Sequence, residues 1–218
     1  MADIDPGSIG STVPGHYGAD GTGVTLAETA IARAFNIQGD SARAPFVAEV
    51  RRLFDVALPV NPNTMTRSAG QSALWLGPKS WLLISKGDSS APLPPQGEFA
   101  AQRDALNALG GALFDVSASR VAFTLSGVHA ESVLAKACPL DLHPRAFPAG
   151  RCAQSLLGRV NALLCKTDEA PSFTVMVARS FARDVWRTLC VSAAPYGYEV
   201  VAAPGKPTEA RSAGNPAA

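Results

Sequence analysis

From Arg120 to Ser126 the chain alternates without a break: Val121, Phe123 and Leu125 fall on one side, Ala122 and Thr124 on the other. Apolar residues at every second position line one face of a pleated strand, and that face needs a covering layer. The cover follows at once. Ser126-Gly127 closes the strand, and Ala130, Val133, Leu134 and Ala137 then recur at helical spacing. Pro139, which has no N–H to continue the ladder, ends that short helix. A strand that turns directly into a helix able to pack on it is the basic unit of a mixed α+β architecture.

The rest of the second half continues the pattern. Cys152 to Leu156 and Val160 to Cys165 read as a hairpin around Gly158, and Ser172 to Val177 as a further strand. A last helix over Phe181 to Val191 places Val185, Trp186 and Leu189 inward. The first half reads similarly. A strand is expected near Val24 to Phe35. A helix follows, capped by Asp40 or Ser41, with Pro45 in its first turn and Phe46, Val50, Leu53 and Phe54 on one stripe. Pro59 and Pro62 stop it. Ala73 to Ile84 is a hairpin about Gly77-Pro78. Glu98 to Leu109 is a helix with Phe99, Leu106 and Leu109 inward; Gly110 and Gly111 form its C-cap, and Ala112 to Val116 is a strand. The expectation is an α+β fold of two pseudo-repeated halves, antiparallel sheet with packed helices, sharing one core.

Residues 1–23 are glycine-rich and poor in large apolar side chains, so a flexible tail is expected there, with the folded domain over 24–202. Residues 203–218 repeat that composition and are expected to fray. Gly87 to Gln96, with Pro92, Pro94 and Pro95, reads as a loose connection inside the domain.

With 218 residues, 47% of them hydrophobic, the chain can bury roughly 70% of its unfolded surface without metal or disulfide staples. A net charge of +1 gives no basic field for nucleic acid or an anionic membrane. Asp3 and Asp5 stand where a signal peptide carries basic residues, and no window of about twenty apolar residues exists, so a cytoplasmic protein is expected. The four cysteines, Cys138, Cys152, Cys165 and Cys190, include no Cys-x-x-Cys pair and read as small core residues.

Chemistry is sparse. Asp141, His143 and the downstream Ser155 have the residue types of a hydrolytic triad, but no nucleophile elbow accompanies them; loop shaping by Asp141 and His143-Pro144 is the simpler reading. Asp115 and Arg120 bracket a turn, where they either pair with each other or leave Arg120 to meet a carboxylate on another chain. Trp75 and Trp81 frame the Gly77-Pro78 turn as core residues or as a contact surface, and Trp186 reads as core. Gly7, Gly10 and Gly15 do not form a dinucleotide loop, and no Walker-type loop occurs. No catalytic, cofactor-binding or metal-binding residue is assigned. A chemically bare, apolar-rich domain points to binding another protein.

Three blocks carry a resemblance. Trp75-Leu76-Gly77-Pro78 with Trp81-Leu82-Leu83 forms the first. Asp115-Val116-Ser117, Ser119-Arg120 and Cys138-Pro139-Leu140-Asp141-Leu142-His143-Pro144 form the second, and Phe173 through Trp186 the third. In this order, over about Val24 to Ala202, the chain resembles the gamma subunit of heterotetrameric sarcosine oxidase. The resemblance implies a fold akin to the folate-binding domain of the glycine-cleavage aminomethyltransferase. It implies alpha, beta and delta partner chains, the alpha chain most directly. It implies a complex that demethylates sarcosine to glycine, yielding methylenetetrahydrofolate or formaldehyde and hydrogen peroxide. FAD, FMN, NAD, tetrahydrofolate and zinc would belong to the partner chains and none to this one. Trp75, Trp81, Arg120 and His143, all within those blocks, are the expected subunit-interface candidates. The alternatives are a stand-alone folate-binding protein of the same fold and a subunit of a related N-methyl amino acid oxidase. The Lys-Gly-Cys motif of folate-dependent repair factors is absent.

Overall fold

Alternation sorts the apolar side chains of this chain onto three surfaces, and the computed structural model, which describes residues 13–68, 70–86 and 97–202, is layered around them. In chain order the first half holds β1 (Gly15–Tyr17), β2 (Val24–Thr29), β3 (Ile31–Gln38), α1 (Ala44–Phe54), β4 (Met65–Arg67), β5 (Gln71–Gly77), β6 (Ser80–Lys86), α2 (Glu98–Ala108) and β7 (Ala112–Asp115). The second holds β8 (Arg120–Ser126), α3 (Ala130–Ala135), β9 (Arg151–Leu157), β10 (Val160–Lys166), β11 (Ser172–Ala178), α4 (Ala182–Ala193) and β12 (Tyr198–Val201). The strands form a seven-stranded sheet, β1-β12-β2-β8-β11-β10-β9, and a five-stranded sheet, β4-β5-β6-β3-β7.

Each sheet has one face under helices and one face toward the other sheet. Val121, Phe123 and Leu125 of β8 join α3 and α4 in the first core, where Phe123 and Trp186 lie 5.2 Å apart between ring centroids. Ala122, between them in sequence, turns to the second core, which Ala34, Leu74, Leu82, Leu163, Cys165 and Met176 fill between the sheets. Trp81 and Leu83 of β6 face α1 and α2 in the third. Burying each large apolar side chain contributes about 1.5–3 kcal/mol, enough for these three surfaces to fix the layer order. At the β4/β9 side the sheets are stitched: Met65 N donates to Gly150 O at 2.9 Å and Cys152 N to Asn63 O at 3.0 Å.

The pseudo-repeat is visible in topology. From β3 to β7, and again from β8 to β12, the chain runs strand, helix, three strands, helix, strand. The order β4-β5-β6-β3-β7 returns as β9-β10-β11-β8-β12, with β2 inserted between β8 and β12. β2 runs antiparallel to β8 and parallel to β12.

Several expectations are corrected. The strand expected over Val24 to Phe35 is two strands, β2 and β3, which leave for different sheets about Ala30. Neither Asp40 nor Ser41 caps α1; Arg43 is its N-cap, without a side-chain bond, and Asp40 Oδ1 accepts from Ala42 N at 3.0 Å in the turn before. The expected tail over residues 1–23 does not hold from residue 13: β1 pairs with β12, and Tyr17 stacks on Tyr198 with ring centroids 5.5 Å apart. Residues 1–12, 203–218 and the loose connection at 87–96 lie outside the described residues. Among those described, no helix is long and apolar enough to cross a membrane.

Candidate functional site

The four interface candidates occupy different layers. Trp75 and Trp81 sit opposite each other on β5 and β6. Trp81 is wholly buried, its indole Nε1 donating to Pro59 O at 2.8 Å and its ring 6.4 Å from that of Phe46. It cannot meet a partner, so its place among the interface candidates is corrected: α1 covers the face on which it lies. Trp75 is half-buried against the same core. His143 is exposed in the loop before β9, on the far helical side of the other sheet. Arg120 begins β8 and is half-buried.

Of the two readings for Asp115 and Arg120, the pair with each other does not form. Asp115 Oδ1 instead accepts from Ser117 N at 2.9 Å and from Ser117 Oγ at 2.6 Å. Ser117 Oγ in turn accepts from Ala34 N at 2.9 Å, which ties this crossover between sheets to β3. Burial pulls the Arg120 guanidinium below its ordinary value. Asp141 and His143 shape their loop as expected: His143 N donates to Asp141 Oδ1 at 3.0 Å, and Arg145 N to His143 Nδ1 at 3.3 Å. Ser155 Oγ is the partner of the Cys138 thiol, 3.9 Å away, so the three triad residue types do not converge.

Cys138, Cys152 and Cys165 are buried thiols and Cys190 is half-buried. Cys152 and Cys165 stand opposite each other on β9 and β10. Burial pushes the Cys152 thiol up to about 11, against a smaller opposing effect from its bond to Trp75 O. Among the described residues no group of three or more His, Cys, Asp and Glu side chains is placed to hold a metal ion. Between the sheets, near Thr29, Met65, Cys165 and Thr174, lies a cavity of about 20 Å³, room for roughly one water.

Sequence reasoning missed several exposed large apolar residues. Among them Phe114, Leu156 and Phe181 are 50%, 44% and 47% exposed. The signal was their phase: Phe114 is out of step with Leu113, which belongs to the core under α1 and α2.

Two sheets stacked between helix pairs, with one strand order used twice, define an α+β protein of two repeated halves. The fold is similar to the glycine cleavage system aminomethyltransferase T from Bartonella henselae, with TM-score 0.55 and 14% identity over 84% of this chain and 48% of that one. Residues 38–195 match the sarcosine oxidase, gamma subunit family, and the chain belongs to that family. It is 35% identical over 153 residues to the sarcosine oxidase subunit gamma of an Arthrobacter species, covering 70% of this chain and 71% of that one. It is 32% identical over 183 residues to the subunit gamma of Corynebacterium sp. strain P-1, covering 82% and 84%. Its structure is similar to a chain of the heterotetrameric sarcosine oxidase from Corynebacterium sp. U-96 in complex with pyrrole 2-carboxylate, with TM-score 0.69, 28% identity and coverage of 81% and 86%.

Proposed function

We propose that this chain is the non-catalytic structural subunit of a heterotetrameric sarcosine oxidase, held with alpha, beta and delta chains and most directly against the alpha chain. The complex oxidatively demethylates sarcosine. With water and oxygen it gives glycine, formaldehyde and hydrogen peroxide; with tetrahydrofolate in place of water, methylenetetrahydrofolate replaces formaldehyde. FAD, FMN, NAD, tetrahydrofolate and zinc are assigned to the partner chains. The observation that carries this reading is the nearly coextensive match to a gamma subunit, 82% of this chain against 84% of the relative. The dispersal of Asp141, His143 and Ser155 into loop shaping and a thiol contact supports a structural role.

The role is then one of surface burial: a stable interface removes roughly 1,200–2,000 Å² or more from water. Trp75, Arg120 and His143 remain proposed contact residues. Tagged chain co-expressed with the three partner chains is expected to purify with all of them, and purified alone it is expected not to bind a reduced folate in a calorimetric titration. A chain that elutes alone as a monomer beside an assembled oxidase contradicts the subunit reading, and tight folate binding by the isolated chain favours a stand-alone folate protein.

A further inference from the structure

The facing surfaces of the two sheets are not covered to their ends. Ala122, Met176, Leu163 and Cys152 belong to the core between the sheets. Alternation along their strands carries Arg120, Ala178, Asn161 and Leu156 onto that same inner face. The pairings Leu156↔Asn161 and Ala178↔Arg120 set them in a row across β9, β10, β11 and β8. On the opposing sheet, Leu113 turns toward α1 and α2, so its neighbour Phe114 turns inward beside Asn36. Here the core stops, with Phe114 50% and Leu156 44% exposed. Beside Phe114 the surface is polar: Asn36 Nδ2 donates to Ser80 Oγ at 3.0 Å, and Gln38 Nε2 to Asn36 Oδ1 at 2.9 Å. The sheets open on a mouth with apolar rims and an amide floor.

The charge at this mouth is one-sided. Arg120 lies in the inner-face row, half-buried, and among the described residues no carboxylate is within ion-pair distance of it. Arg179 is drawn to the same strand end, its Nε donating to Ala118 O at 2.7 Å. Asp115, the acid nearest in sequence, is engaged by Ser117. A half-buried cation without a counter-charge is unfavourable, and a carboxylate arriving with a desolvating apolar surface relieves it. Asn36 Nδ2 also donates to Trp81 O at 3.1 Å, so its amide is fully engaged, and it is the Asn161 amide, exposed in the facing row, that suits the backbone groups of an extended chain, which must keep their hydrogen bonds when buried.

We propose that this mouth is the docking site for an extended partner-subunit segment that brings one apolar side chain to Phe114, another to Leu156 and a carboxylate to Arg120. The proposal rests on the subunit reading above and adds the surface and the chemistry of what fills it. The test uses the co-expressed complex and the isolated full chain. Phe114→Ala and Arg120→Glu are expected to weaken capture of the partner chains by about 30-fold, the size of an interface hot spot. Val191→Gln, on the exposed side of α4 and 66% exposed in the wild type, is expected to change capture by less than about twofold. Arg120→Gln is expected to flatten the salt dependence of assembly, because it removes the cation that the partner carboxylate meets.

Thermal denaturation of each isolated variant separates docking from folding. If Phe114→Ala unfolds, Leu156→Gln on the edge strand and the salt dependence of Arg120→Gln decide the matter. Wild-type capture that persists unchanged in these folded variants overturns the docking site and leaves the subunit reading intact. Wild-type chain that captures no partner overturns both. Self-association of the isolated chain that Phe114→Ala abolishes identifies a second copy as the occupant and overturns the partner segment.

Discussion

Trp81 illustrates how a single side chain is held from several directions. Its ring fills the core under α1 while Nε1 donates to Pro59 O, so the polar edge of the indole is satisfied inside an apolar layer. Trp81→Ala removes both and is expected to destabilise the chain by about 3–5 kcal/mol in chemical denaturation. Trp81→Phe, which keeps most of the volume and loses chiefly the hydrogen bond, is expected to cost about 1 kcal/mol beyond the smaller ring's lost packing. Cys152 gives a pH dependence with a definite sign. Its thiol ionises near 9.0 when unfolded and near about 11 when folded, because burial disfavours the thiolate. The folded chain therefore holds that proton more tightly. The contribution to stability is fully present below pH 9.0 and is lost as pH rises through about 11. Denaturation midpoints of wild type and Cys152→Ala are expected to draw together over that window. Parallel curves would show that the thiol is not the group responsible.

At the scale of elements, the sequence speaks clearly wherever one covering layer dominates. The alternation of Arg120–Ser126 and the helical stripe of Ala182–Ala193 with Val185, Trp186 and Leu189 inward are both present in the fold. β6 was harder: Trp81 and Leu83 are buried under helices while Leu82 and Ile84 are buried against the other sheet. A strand covered on both faces has no polar phase, so nothing in its letters says which tryptophan reaches the surface. The elements missed altogether, β1, β4 and β12, are Gly15–Tyr17, Met65–Arg67 and Tyr198–Val201. They are too short to show a period, and β1 and β12 are stabilised by pairing between the two ends of the chain. The mouth between the sheets was illegible for a related reason, since it exists only where strands from both halves stop covering each other. Gly197 marks the close approach at the β12 end: its φ is 64°, and a β-carbon there would collide with Gly21 O. Gly197→Ala is expected to destabilise the chain by about 1–3 kcal/mol through strain and displacement of the residue 18–23 loop. A variant with unchanged thermal stability would show that this packing contributes little.

At the scale of the whole molecule, the described strands and helices close over three cores. The two halves repeat one strand order around a shared intersheet core, the fold seen also in an aminomethyltransferase, and the family to which the chain belongs is that of sarcosine oxidase gamma subunits. In the proposed role the chain acts by shape, offering a surface that completes an enzyme built by other chains. The most direct measurement is sarcosine turnover and assembly mass for the oxidase expressed with and without this chain. Loss of the intact assembly and of most activity when it is omitted is the predicted result, restored by adding the wild-type chain back. A fully active, correctly assembled oxidase lacking this chain would contradict the account.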